Sequence, residues 1–313
     1  MDHSLSRRAA LSLFAAVVLS WGLNWAVTKI LVQDVAPFWA TAIRSGIGSL
    51  VLLLVLLARG QFNIPCRRDV PVILSIGLLH MTAFAVLVAF GVRLMPVGRS
   101  IVLGYTTPLW VAPGAWLFLR EPITPRRLAG VALGLGGLMV MFNPLAFDWN
   151  DRNALTGSAL ILFAAICWAA NILYVRAHVW VSSPFQLSFW QALLATVVLS
   201  ILALAVDGVP HIVWSERVTA AFLYSGVFGI ALAYWAMAVV NRSLPATTTS
   251  LGILATPVIG VITSSLALGE TIDITLLVAM AMILSGIAVG TIPTMRRTAI
   301  PAPQASVESV VRP

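Results

Sequence analysis

Long apolar runs separated by short polar breaks make up most of the chain. They fall at about 11–32, 38–58, 70–92, 97–119, 127–144, 156–177, 184–206, 217–240, 246–268 and 273–292. An α-helix needs roughly 20 mostly apolar residues to cross about 30 Å of hydrocarbon. Strict period-2 alternation is absent, and the runs are too long and too continuous for the strands of an outer-membrane barrel. The pattern predicts an all-α membrane protein with ten transmembrane helices.

The polar positions inside and between these runs repeat. Trp21-Gly-Leu-Asn24 with Lys29 and Pro37-Phe38 recurs, 147 residues on, as Trp168-Ala-Ala-Asn171 with Arg176 and Pro184-Phe185. Arg93, Pro96, Thr107-Pro108 and Glu121 recur, 149 residues on, as Arg242, Pro245, Thr256-Pro257 and Glu270. An ordered series of this kind marks an internal duplication, and in a membrane protein it points to a transporter with its substrate site between the halves. Five runs fall in each copy. An odd number makes the copies enter the membrane from opposite sides, so two inverted five-helix repeats are predicted.

Composition agrees: 60% of the 313 residues are hydrophobic and 10% charged, against about 25% charged in soluble domains. The net charge of +8 would suggest nucleic acid in a soluble chain. Here the basic residues are scattered among short loops, thirteen on one side of the predicted membrane and five on the other, with Arg44 inside the second run. That asymmetry is a topology signal, places both termini in the cytoplasm and removes nucleic acid as a partner. The expected organisation is a cytoplasmic N-terminus at 1–10, a first repeat at 11–144 and an external linker at 145–155. A second repeat at 156–292 and a disordered cytoplasmic tail at 293–313 complete it. Arg7-Arg8 before an apolar run imitates a signal peptide, but the run carries half of the duplicated motif and reads as a retained helix. Cys66 and Cys167 stand apart, with no second Cys or His at metal-ligand spacing. No disulfide, metal or cofactor is expected.

Several polar and aromatic residues lie too deep in the runs for a surface role. Asn24 and Asn171 must face the bundle interior, either as helix–helix hydrogen bonds or as contacts for a substrate. Trp21 and Trp168 share their helix faces. With Trp110, they are either core filler or walls of a pocket for a flat apolar ligand. His80 is the deepest histidine, and Tyr105 and Tyr234 offer hydroxyls to the same region. Pro108 and Pro257 fall inside helices, where matched kinks would shape or gate a path. Lys29 and Arg44, near run ends, are either snorkelling topological anchors or a positive rim for a carboxylate. Gly130-x3-Gly134 and Gly286-x3-Gly290 allow close helix approach, within the bundle or in a weak homodimer. None of the eleven Asp and Glu residues lies near the centre of a run. This weighs against proton-coupled cation efflux and leaves His80 as the only central group that titrates near neutral pH. The same inventory holds no paired carboxylates or histidines for an intramembrane enzyme.

The Trp21-Gly-Leu-Asn24-Trp25 helix ending in Lys29, the Pro37…Arg44 helix and the Pro108…Leu119-x-Glu121 stretch resemble the EamA module of the drug/metabolite transporter superfamily. Pro257…Leu268-Gly269-Glu270 provides the family's Leu-Gly-Glu in the second copy. The aromatic-rich helices are also similar to YddG-type amino-acid exporters. Gln191 in place of a second Arg44 departs from the internal symmetry. The resemblance implies a bacterial inner-membrane fold of five plus five helices and an exporting direction. The expected function is alternating-access export of small neutral or zwitterionic metabolites, foremost hydrophobic or aromatic amino acids. The candidate binding residues are Trp21, Asn24, His80, Tyr105, Trp110, Trp168, Asn171 and Tyr234, with Pro108 and Pro257 as hinges. Another organic solute (a drug, nucleoside or sugar derivative) stays open as cargo, and a non-transporting receptor or scaffold as a role.

Overall fold

Each apolar run becomes a helix because hydrocarbon offers its backbone no other partners. A computed structural model describes residues 6–143 and 147–291. Eight of its helices are long and apolar enough to cross a membrane. They are α1 (Arg7–Asp34), α2 (Pro37–Ala58), α3 (Val70–Leu94), α4 (Val97–Leu119), α6 (Arg152–Ala177), α7 (Pro184–Val206), α8 (Glu216–Asn241) and α11 (Ile274–Thr291). Between them lie α5 (Pro125–Met141), α9 (Ala246–Gly252) and the shorter apolar α10 (Ala255–Leu268). No strand occurs among the described residues. The protein is an all-helical, multi-pass membrane protein. The tail at 293–313 and part of the linker lie outside the described residues.

Helix starts follow from local sequence. Ser6, Thr124, Asp151 and Ser183 accept hydrogen bonds from first-turn amides, and Gln186 completes a capping box with Ser183. Proline begins α2, α5 and α7, where its missing N–H has no intrahelical partner to lose. The same rule corrects the expectation for Pro108 and Pro257. α4 is interrupted at Tyr105–Thr106, and Pro108 stands in the first turn of the segment Thr107–Leu119. Pro257 stands in the first turn of α10, after an interruption at Ile253–Leu254. Tight bonds such as Thr106 N to Leu103 O (3.1 Å) and Thr256 N to Ile253 O (3.0 Å) carry the chain through each break. These prolines therefore restart helices, and Pro113 is the proline that sits inside one.

Packing interleaves the two copies. α1 packs on α8 and α10, while α6 packs on α3 and α4; α2 meets α8 and α7 meets α3. α2 packs on α7 and α5 on α11, so each contact recurs with the copies exchanged. The glycine stripes meet each other in the last of these pairs. A Cβ on Gly130 would lie 2.4 Å from the Gly286 carbonyl, and one on Gly286 equally close to the Gly130 carbonyl. Both stripes are thus used within one chain, where backbones approach without side chains between them.

Two sets of polar contacts tie the ends of the bundle. At one end, Glu270 accepts from the amides of Val97 (2.7 Å) and Gly98 (3.0 Å), capping α4. Arg99 pairs with Asp273 at 3.3 Å, and the Lys29 ammonium donates to the Val92 and Met95 carbonyls at the end of α3. At the other end, Glu121 pairs with Arg127 (2.9 Å) and Arg176 (3.1 Å). There Asp69, fully buried, accepts from the amides of Val181 (3.2 Å) and Ser182 (3.0 Å). Burial pushes the Asp69 carboxyl up. The bonds from Ser182, Val181 and Cys66 outweigh it and hold the group below its ordinary value.

Candidate functional site

The interleaved packing leaves a cavity of about 910 Å³, counting its opening to solvent, between α1, α2, α3, α4, α6 and α8. Its walls are rich in aromatic rings. His80 stacks on Trp168 with ring centres 5.2 Å apart and planes 8° from parallel. Phe84 and Tyr105 meet the same indole at 5.1 and 6.2 Å, and Trp21 meets Tyr234 edge-on at 6.2 Å. The Tyr234 hydroxyl lies 3.2 Å from His80 Nδ1. That bond joins the two ring clusters across the copies.

The polar part of the wall comes from α1 and α2. Arg44 is 9% exposed and lines the cavity. It donates to Thr28 Oγ1 at 2.9 Å, and Thr28 donates in turn to the Asn24 carbonyl at 2.7 Å. No carboxylate pairs with Arg44 among the described residues, and none lines the cavity. Asn24 Oδ1 is buried with no hydrogen-bond partner among the described residues. Thr41 and Ser45 complete the polar side.

Local helix geometry sets this wall. Residues Ser75–Phe84 of α3 and Tyr224–Leu232 of α8 are π-helical, and the two stretches begin 149 residues apart. The wider turn rotates the following residues relative to an α-helix. It brings His80 and Gly229, which occupy equivalent positions, to the cavity wall. The Thr82 hydroxyl donates five residues back to the Gly77 carbonyl at 2.7 Å.

Six of the eight candidate binding residues converge on this cavity: Trp21, Asn24, His80, Tyr105, Trp168 and Tyr234. Trp110 and Asn171 are absent from its wall. Trp110 Nε1 bonds Thr106 Oγ1 at 3.2 Å one turn back on α4, and Asn171 accepts from the Ser75 hydroxyl at 3.0 Å. The sequence offers Arg44 as an end-of-helix anchor or a positive rim, and the structure buries it in the cavity wall. Its signal was present in the sequence: a lone cation inside an apolar run with no acid at helical spacing. The π-helical stretches had no such signal.

The sequence profile of the EamA-like transporter family matches twice, over residues 8–143 and 155–291. The chain belongs to the EamA-like transporter family. Among EamA-like relatives, an uncharacterized transporter YoaV of Bacillus subtilis is 23% identical over 283 residues, covering 90% of this chain and 96% of that one. A probable amino-acid metabolite efflux pump of Salmonella typhimurium is 27% identical over 302 residues, covering 90% and 95%. A riboflavin transporter of Rhizobium johnstonii is 29% identical over 147 residues, 46% of this chain and 45% of its own length. A crystal structure superimposes with a TM-score of 0.63 at 21% identity, covering 91% of this chain and 98% of that one, and shows the fold alone. The family is one of transporters, not of enzymes.

Proposed function

We propose that this EamA-like transporter exports small neutral or zwitterionic metabolites, foremost hydrophobic or aromatic amino acids, through the cavity between its copies. One observation carries the reading. An aromatic box of Trp21, Trp168, Tyr105 and Tyr234 is joined to a polar wall of Arg44 and Asn24, and it lies where the copies meet. Such a site suits a ligand with a flat apolar body and a polar head. The efflux-pump relative supports the cargo class, and the riboflavin transporter keeps a larger aromatic solute as the second reading.

The proposed topology counts α5 as a crossing and α9 with α10 as one broken crossing. This makes ten, five per copy, in opposite orientations with both termini in the cytoplasm of an inner-membrane protein. The exchange-symmetric packing of α1 on α10 and α6 on α4 supports that arrangement. Alternating access would then exchange which end of the bundle is held shut. Single cysteines at Asp151 and Asp207 should react with an impermeant thiol reagent from outside, and one at Gln61 only from inside. External labelling at Gln61 would reject the inverted topology.

Function is tested by counterflow in proteoliposomes with a panel of labelled amino acids, with and without a pH gradient. Exchange of phenylalanine, tryptophan or leucine at matched pH is expected, because among the described residues no carboxylate lines the cavity to exchange a proton. Transport that requires a proton gradient would overturn movement down the substrate gradient alone and turn attention to His80, where His80→Gln should remove the coupling. No exchange of any amino acid would overturn the cargo class.

A further inference from the structure

We infer that Arg44 is the anchor for a substrate carboxylate, so that the cavity selects aromatic monocarboxylates and the amino group is dispensable. The inference rests on the transport reading of the same cavity and names the chemistry that the cavity recognises.

The argument begins from charge. A guanidinium buried within a transmembrane helix is costly, and proteins keep one there where it meets a counter-charge or a pathway. Arg44 is buried, lines the cavity and makes one side-chain hydrogen bond among the described residues, to the neutral Thr28 hydroxyl. No carboxylate lies within ion-pair distance of it among the described residues. The planar fork of a guanidinium matches a carboxylate in two parallel bonds, which an ammonium or hydroxyl group cannot reproduce. A ligand carboxylate supplies what the protein withholds.

The internal duplication shows that this charge belongs to one side only. The equivalent residue, Gln191, is buried but absent from the cavity wall, and its Nε2 has no partner among the described residues. The site therefore holds one cation and offers one anion-binding group. A ligand ammonium meets no carboxylate there. Its acceptors are the Asn24 amide oxygen and the faces of the indoles, which add affinity without being able to replace the charge pair.

The test uses the purified full-length protein and three ligands that share a phenyl ring and a short chain: phenylalanine, 3-phenylpropanoate and 2-phenylethylamine. Binding is read by calorimetry. We expect 3-phenylpropanoate to bind within about tenfold of phenylalanine, since it loses the ammonium's contacts and keeps the charge pair, and 2-phenylethylamine to bind about 10- to 150-fold more weakly than 3-phenylpropanoate. Arg44→Gln, which copies the second half, should weaken the two carboxylates by the same factor and leave the amine unchanged. Arg44→Lys keeps the charge, loses the fork and should fall between. If Arg44→Gln fails to fold, the ligand series on the natural protein decides alone. Equal binding of the amine and 3-phenylpropanoate, no saturable binding of 3-phenylpropanoate, or wild-type carboxylate binding by a folded Arg44→Gln each overturns the inference. Binding of the anion without amino-acid counterflow would instead reject amino acids as the cargo class and leave the carboxylate anchor standing.

Discussion

Asn24 and Asn171 occupy equivalent places in the two copies, yet their surroundings have opposite character. Asn171 accepts a hydrogen bond from Ser75 and lies away from the cavity. Ser75 corresponds to Tyr224 in the other copy, and a tyrosine reaches past: its hydroxyl donates to the Ser20 carbonyl at 3.2 Å. Asn24 is therefore left with a buried, unpartnered Oδ1 at the cavity wall. The next pair of equivalents continues the asymmetry. His80 fills its space with an imidazole stacked on Trp168, whereas Gly229 gives its space to the Asn24 side chain: a Cβ there would lie 2.7 Å from Asn24 Oδ1. A duplicated scaffold thus spends one set of polar positions on packing and frees the other to meet a ligand.

The strongest way to break this comparison is to displace Asn24 from its place against Gly229. Gly229→Leu should abolish ligand binding and counterflow, because its Cβ forces the Asn24 side chain to shift and the atoms beyond it crowd the cavity wall. Retained transport would show that the cavity is not the path. Asp69 tests a second asymmetry, since its equivalent is the buried Val218 and only the first copy carries this lock. Hydrogen bonds to a charged group contribute about 1.5–3 kcal/mol, so Asp69→Asn should lower stability by that order at pH 7. The native carboxyl is held below its ordinary value. Its contribution is therefore complete above the unfolded pKa of about 4 and is lost as pH falls through the native one. The gap between variant and wild type should close on acidification, and a gap independent of pH would reject the lock.

Asn24→Ala should reduce affinity by about 5- to 150-fold, the cost of about 1–3 kcal/mol for stranding a ligand's polar group. Its thermal midpoint should stay near wild type, because no internal bond is lost. Asn171→Ala should do the reverse. It removes the Ser75 bond at about 0.6 kcal/mol, an average value within bilayers, and leaves affinity unchanged. Matching effects from the two substitutions would erase the distinction drawn between them. The smallest effect is expected at Arg120, whose φ of 55° is matched by 69° at its equivalent, Gly269. A side chain in this left-handed region costs about 1–2 kcal/mol, and glycine's added freedom in the unfolded chain returns about 0.5–1 kcal/mol of that. Arg120→Gly should therefore stabilise the protein by roughly 0.5 kcal/mol, read as a small rise in its midpoint of thermal unfolding.

Much of this was legible in the linear pattern. Asn24, Trp21 and Trp168 stood out because a polar or indole group deep in an apolar run must face inward. Trp110 obeyed the same rule and yet turned its indole to Thr106 on its own helix. Depth fixes how far a residue lies along the membrane normal, and neighbours decide which way it faces. Pro108 and Pro257 were read as kinks inside helices. The breaks at Tyr105–Thr106 and Ile253–Leu254 depend on tight turns that leave no hydropathy signal, since both sides of each break are apolar.

The sequence by itself determined the all-helical, membrane-spanning character and the duplication, because hydrocarbon imposes run length and apolarity locally and a repeat is visible without a fold. It also supplied Arg44 as a lone cation. Only the tertiary structure decided that Arg44 enters the cavity wall without an acidic partner among the described residues, that the glycine stripes meet one another, and that Gly229 makes room for Asn24 where His80 carries an imidazole. Those outcomes depend on π-helical rotation and on contacts between residues far apart in the chain, such as Trp21 Nε1 to the Gly229 carbonyl, 208 residues on. Long-range geometry of that kind is set by which helices pack together, and no local pattern encodes it.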